Sequence, residues 1–374
     1  MQMIKTFFIT LLLAIPFTKG FASDLKDTLS VGFDTYSDSG DVQVYSPTFS
    51  YMKTLSKEWL MGVKCRIDSI SAASIKKLKS STSSTTASAS GGGENEGPDD
   101  VRFAPTFLTT YDNGSDSVTA GVYFSTEHDY QGRSIFASYV RQLNEENTAL
   151  GVGVSQSFDE WQPSIVRNLS RTDRKESKVD LSINQLISPT LSMQFIYSYL
   201  YSEGFLASPY NYVTVGSTNV YELYPQTRTG SAYALKGVKL FDPANSMNFS
   251  YRYYDDNWGI KSHTLNTEWL YSVSNLLTLG LRARYYTQSK ANFTKPLASV
   301  SASDTYIVSD YRMSAFDSYD VGIPLIYKPS PASNVKFSAS VDYYSTTNNN
   351  YIQAWYNTSN ITAFYTTFRI DYDF

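Results

Sequence analysis

The sequence predicts an all-β fold, a transmembrane antiparallel up-and-down β-barrel of about 16 strands that follows an N-terminal signal peptide. Three observations predict it. Apolar residues alternate with period two along most of the chain. The connectors between alternating segments are sorted, short at one end and long at the other. The chain closes on an aromatic signature that is in phase with an apolar face.

The alternation is clearest in four segments. Trp59, Met61, Val63, Cys65 and Ile67 share one face, with Lys64 and Arg66 opposite. Leu191, Met193, Phe195, Tyr197, Tyr199 and Tyr201 oppose Ser192, Gln194 and Ser198. Leu277, Leu279, Leu281, Ala283 and Tyr285 oppose Thr278, Gly280, Arg282 and Arg284. Phe364, Phe368, Ile370, Tyr372 and Phe374 oppose Thr367, Arg369, Asp371 and Asp373. Period two places one set on each side of a sheet. The same reading gives strands over 28–37, 42–52, 58–68, 101–111, 117–127, 133–142, 148–158, 177–187, 190–202, 231–241, 246–255, 259–272, 276–287, 313–327, 334–344 and 361–374.

The long connectors 69–100, 159–176, 203–230, 288–312 and 345–360 all follow odd-numbered strands. Those after even-numbered strands are short turns. Such sorting belongs to outer-membrane barrels, which have short periplasmic turns and longer outer loops. A soluble sandwich has no reason for it. Residues 69–100 include a Ser/Thr/Ala/Gly-rich tract expected as a low-complexity extracellular loop. Its Lys76, Lys77 and Lys79 form a solvated cluster or pair with lipopolysaccharide phosphates.

Residues 1–22 read as a signal peptide. Lys5 is the positive start, Phe7–Ile15 the apolar stretch, and Gly20-Phe21-Ala22 the small-residue cleavage pattern before Ser23. The barrel then occupies 23–374, with no stretch ahead of its first strand long enough for the plug domain of an energised receptor.

Composition excludes several functions. The 31 basic against 35 acidic residues give a net charge of -4, so nucleic acid is not an expected partner. A single cysteine and two histidines leave neither an internal disulfide nor a Cys/His metal cluster, and neither metal nor cofactor is expected. The 31 tyrosines suit aromatic girdles at the two membrane interfaces, where a ring is buried and its hydroxyl stays wet. The expected partners are outer-membrane lipid, lipopolysaccharide and the outer-membrane assembly machinery. Phe368, Ile370, Tyr372 and Phe374 supply the terminal signature for the last of these.

Phasing sends Arg252, Glu268, Arg282, Arg284, Arg369 and Asp371 inward as pore-lining candidates. Lys64, Arg66, Arg102, Lys178, Lys336, Asp34, Asp68, Glu127, Asp180, Asp342 and Asp373 join them. This mixed lining suits a general pore, or the charges pair across strands and brace the wall. Arg252, Arg282 and Arg284 come from nearby strands and are candidates for a local basic patch. Asp255, Asp256 and Trp258 occupy a connector, either as turn residues or as a cation or sugar site at the mouth. His128 lies at a Glu127-His128-Asp129 hairpin tip. Ser262 and His263 point to opposite faces, against a hydrolytic pair.

Several stretches resemble an uncharacterised bacterial family, Domain of Unknown Function 3570. They are Tyr251 through Leu265, Arg284 through Ser289, Glu203 through Tyr210 and Asp68 through Ser74. Asn257 and the Ser/Gly-rich insertion are local departures. The resemblance implies an outer-membrane barrel and transfers no activity. The expected function is a porin-like channel for small polar solutes. The alternatives are a non-conducting scaffold barrel holding a surface partner and, third, an outer-membrane enzyme.

Overall fold

The structure, a computed structural model, describes residues 26–40, 42–72, 100–162, 171–208, 211–356 and 358–374. The proposed signal peptide, most of the low-complexity loop and its three lysines lie outside these residues.

Sixteen strands form one closed antiparallel barrel. The first nine are β1 (Thr28–Asp38), β2 (Val42–Thr54), β3 (Trp59–Ala72), β4 (Asp100–Asp112), β5 (Asp116–Thr126), β6 (Tyr130–Leu143), β7 (Thr148–Trp161), β8 (Thr172–Ser188) and β9 (Leu191–Gly204). A small hairpin, β10 (Tyr212–Val215) and β11 (Thr218–Tyr221), stands apart. The wall resumes with β12 (Thr227–Asp242), β13 (Asn245–Asp256), β14 (Lys261–Ser272), β15 (Leu277–Gln288), β16 (Phe316–Tyr327), β17 (Val335–Thr346) and β18 (Thr362–Asp373). One short helix, α1 (Asn350–Tyr356), precedes β18.

Each wall strand pairs with its neighbour in sequence, and β18 closes on β1 from Thr28↔Asp373 to Asp38↔Ala363. All sixteen expected strands are present, with ends moved by a few residues. The largest shift is at β8, which starts at Thr172 rather than 177.

Closure leaves two faces of opposite character. Phe33, Met61, Phe107, Ile135, Leu181, Leu235, Ile323 and Val341 all lie on the outer face and are exposed. So continuous an apolar band has no counterpart on a soluble monomer and is what lipid requires. Aromatic rings flank it at both ends. Toward the long loops, Tyr197, Tyr233, Tyr253 and His263 succeed one another across four strands, with ring separations of 5.1–6.4 Å. Toward the short turns, Trp59 meets Tyr111 and Tyr327 meets Phe337.

The terminal residues sit on the short-turn side. The Phe374 amide donates to the Asp27 carbonyl at 2.9 Å, and its ring stands edge-on to Tyr372 at 4.6 Å. Phe368 and Phe374 are exposed on the outer face.

The facing assignment predicts opposite outcomes at adjacent residues. Leu181 is 49% exposed near the middle of β8. Leu181→Arg places a charge in lipid and is expected to cost about 2–4 kcal/mol. Ser182→Arg points into the lumen and should cost less than about 0.5 kcal/mol. Denaturant titration of the folded barrel in lipid measures both, and equal losses would refute the facing.

Candidate functional site

The inner face carries the charges, and most are engaged. Asp68 is fully buried. It accepts from Arg66 Nε at 2.7 Å and Arg102 Nε at 2.6 Å, while Arg66 also reaches Asp34 at 2.7 Å. Asp371 is held by Lys336 at 2.9 Å and by the Ser30 hydroxyl. On the opposite wall, Arg282 bridges Glu268 at 2.9 Å and Asp342 at 3.1 Å. Gly322 permits this, because a Cβ there would fall 1.8 Å from Asp342 Oδ1. The carboxylate lies folded over bare backbone.

The three arginines expected as a patch therefore differ. Arg282 is neutralised by two carboxylates. Arg284 faces Asp320 across the strand pair and lies 5.8 Å from the Tyr286 ring centre. Arg252 sits 5.3 Å from the Tyr254 ring centre, and no described carboxylate pairs with it. Arg369 extends into the lumen beside Gly32.

Asp255 and Asp256 end β13 rather than lying in the connector, which is the four-residue turn 257–260. Asp256 organises that turn. Its carboxylate is fully buried and accepts the backbone N–H groups of Trp258 and Ile260, each at 3.0 Å. It also accepts the Tyr254 hydroxyl at 2.9 Å and Arg228 Nε at 2.8 Å. Gly259 supplies the positive φ of 86° that the turn needs. The Asn257 side chain accepts the Thr229 amide at 2.8 Å. The Asp256 carboxylate is thus filled by the protein's own donors.

Sequence periodicity did not reveal what the long loops do. Described residues from 205–208, 211–226, 257–260, 289–315, 347–356 and 358–361 fold together around a hydrophobic cluster. Ala291, Ile352 and Ile361 have no exposed surface, and Trp258, Ile260 and Val308 retain 3% each. Trp258 donates its indole N–H to the Thr227 carbonyl at 2.9 Å and packs edge-on to Phe293 at 5.2 Å. The cluster rests on Tyr254 and Tyr344, which face inward from the wall. The loops therefore turn in over the mouth on the β9–β18 side.

A buried carboxylate ties this cover together. Glu222 Oε1 accepts Ser309 N at 2.7 Å, Ser309 Oγ at 2.9 Å and Asp310 N at 2.7 Å. Ser208 N approaches the other oxygen at 3.4 Å. Burial, reinforced by the Asp310 charge, pushes the Glu222 carboxyl up to about 7. Burial also opposes charge on Asp310, but the Arg312 guanidinium outweighs it and holds that carboxyl below its usual range. Buried Tyr224 adds no charge, since burial and Glu222 push its hydroxyl well above the ordinary phenol value.

Among the described residues, one group of carboxylates has the spacing of a cation site. Asp100, Glu127 and Asp129 bring oxygens within 4.8 Å of one another at the long-loop rim. His128 offers them only its backbone N–H, to Asp100 at 3.4 Å. Ser262 is buried on the inner side, whereas His263 lies in the outer aromatic belt with Nδ1 2.6 Å from the Tyr251 hydroxyl.

A family model described as "Protein of unknown function (DUF3570)" matches residues 21–171 and 164–370. The chain belongs to this family. No curated protein matches the sequence. Among solved structures, the fold is similar to a bacterial polysaccharide outer membrane secretin, with a TM-score of 0.52 at 7% identity over 94% of this chain and 99% of that one. OmpT of Vibrio cholerae lacking loop L8 aligns at a TM-score of 0.46 and 12% identity, over 92% and 98% of the two chains. The first of these likenesses is one of fold. Together with the closed wall and its lipid-facing band, it makes the DUF3570 chain an outer-membrane β-barrel.

The Glu222 carboxyl predicts a pH response of the cover. A carboxyl raised in the folded state contributes full stability below its unfolded value near 4.5, and the contribution is lost as pH rises through about 7. Hydrogen exchange of the 309–310 amides, corrected for its intrinsic pH dependence, should therefore quicken between those values. Glu222→Gln retains the accepting oxygen without the charge and should flatten the profile. An unchanged profile in that variant would assign the response elsewhere.

Proposed function

We propose that this DUF3570 barrel is a porin-like channel for small polar solutes, with its mouth narrowed by the inward-packed loops. The observation that carries the reading is open space in the lumen against β18 and β1 to β7. It is a cavity of about 430 Å³ whose lining mixes hydroxyl and charged side chains, including Ser50, Thr106, Lys64 and Arg369, with apolar ones such as Met52, Ala104 and Phe136. A barrel this wide leaves room for water inside, and the polar groups of the lining give that water partners. Opposed charges on the wall pair locally, which suits passage of neutral and charged solutes alike.

The packed mouth favours a second reading, a non-conducting scaffold whose outer loops hold a partner at the cell surface. A cover with its own buried core resembles a recognition surface more than a loose loop. Both readings are non-enzymatic. Ser262 and His263 lie on opposite sides of the wall, so the lumen receives a serine without a histidine beside it. Outer-membrane lipid, lipopolysaccharide and the assembly machinery are the partners this reading implies.

Planar-bilayer recording of the purified barrel separates the two readings. Resolved conductance steps are expected for the channel, and a silent bilayer with folded protein inserted supports the scaffold. Removal of Phe374 tests the assembly signature. It deletes the amide that donates to Asp27 and the ring against Tyr372. We expect the yield of heat-modifiable barrel in outer membranes to fall severalfold, and full yield would remove Phe374 from the signature.

A further inference from the structure

We propose that the lumen wall formed by β18, β1, β2 and β3 is a binding site for small oxyanions, held between Lys64 and Arg369. The inference rests on the channel reading for its biological use, since it names the solute class that such a channel would favour.

Lys64 and Arg369 are cations that the barrel's own carboxylates leave unpaired. Neither forms an ion pair or a side-chain hydrogen bond with the described residues, although every carboxylate near them is engaged. Asp34 and Asp68 are taken by Arg66 and Arg102. Asp371 is taken by Lys336 and Ser30. The two cations act on each other electrostatically across β1 and β2. Two like charges held in one cavity with no counter-ion from the protein create a local potential that an anion relieves.

The floor between them suits an oxyanion. Cross-strand register places Gly32 beside Arg369 and Ser50 beside Lys64, with Thr48 opposite Gly32 and Ser30 opposite Ser50. All four are small, and three carry a hydroxyl. At Gly32 a Cβ would stand 3.4 Å from Arg369 Nε and 2.5 Å from Thr48 Oγ1. The glycine thus lets the arginine lie against the wall beside the Thr48 hydroxyl. A guanidinium offers a planar fork that matches two oxygens of a carboxylate or phosphate. The Lys64 ammonium supplies a point charge, and Thr48 and Ser50 donors can reach a remaining oxygen. These groups border the 430 Å³ cavity, a volume suited to a small solute.

Equilibrium binding and bilayer recording together test the site. The probes are inorganic phosphate and succinate, with glucose as the neutral control, measured by titration calorimetry on the detergent-folded barrel at low salt. We expect saturable binding of at least one anion and none of glucose. Tighter phosphate binding would point to phosphorylated solutes, and tighter succinate binding to organic acids. Lys64→Gln with Arg369→Gln should weaken anion binding at least tenfold and shift the reversal potential in a salt gradient toward cations. Lys26→Gln with Lys328→Gln changes net charge equally, at exposed residues outside the wall, and should alter neither. Heat-modifiability on gels verifies that each variant is folded.

Anion binding lost in the lumen double variant, from a barrel that conducts nothing, supports the site and overturns the channel reading. Conductance with binding and selectivity unchanged in that variant overturns the site and leaves the channel. Absence of saturable anion binding to the unaltered barrel also overturns the site.

Discussion

Backbone hydrogen bonding without water is the constraint on which this structure depends. In hydrocarbon each unpaired N–H or C=O costs several kcal/mol, so a spanning sheet cannot have an edge. The β1–β18 ladder removes that edge. Once the ring is closed, side-chain sorting follows from the pleat alone. Every strand sends alternate residues to lipid and to the lumen. In the lipid-facing middle of the strands a charge is therefore tolerated only on one parity, and the lysines and arginines of β3, β15 and β18 keep to it, whereas outward charges such as Lys175 and Glu203 sit near strand ends. Local exceptions in size follow the same geometry. Gly322 and Gly32 sit where an inward side chain must lie flat on the wall.

Inside the wall, a charge is stabilised by water, by a partner or by a ligand. Arg282 with Glu268 and Asp342, and Arg66 and Arg102 with Asp68, take partners. These links join strands across β14, β15 and β17 and across β1, β3 and β4. They brace the barrel more than they polarise its interior, because opposed charges in contact cancel at a distance. The field inside the lumen is set by what this pairing leaves over. Total charge on the wall is thus a poor guide to that field, to which Lys64, Arg369 and Arg252, with no ion-pair partner among the described residues, add without local cancellation.

The wall was legible in the sequence to within a few residues per strand, because period-two alternation is a direct consequence of sheet geometry. Phe364, Phe368 and Ile370 on one face and Arg369 and Asp371 on the other needed no three-dimensional information. The pairing of charges was not legible. Arg282, Arg284 and Arg252 look equivalent along the chain, and only register reveals that Asp342 comes within reach of one of them. The cover was not legible either. Its core joins Ala207, Trp258, Ala291 and Ile352 from four separate loops, with no common period to signal it. A cue was present in the apolar residues scattered through segments that otherwise read as loops, such as Phe293, Ile307 and Val308.

The cover and the wall are held by different physics, and this separates their responses. The wall is a ladder whose every strand depends on the next, in a medium that penalises any opening. The cover is a small aqueous domain. It is held by burial of aromatic and aliphatic side chains, by the Leu223–Ile307 backbone bridge and by one carboxylate that gathers the 309–310 amides. Its cohesion is that of a small core, which opens at far lower free energy than a closed membrane ladder. Asp256 stands at the junction. Its carboxylate grips Arg228 on the wall and the Trp258 turn in the cover at once. A change in the cover can therefore reach the wall through the β12–β13 end. Strands β1 to β3 lie away from that junction, but Tyr344 packs against both the cover core and the cluster that Tyr36, Val44 and Ile70 form on those strands. Mouth and wall thus differ in what holds them together, yet they are joined at two places, the Asp256 carboxylate and the Tyr344 ring.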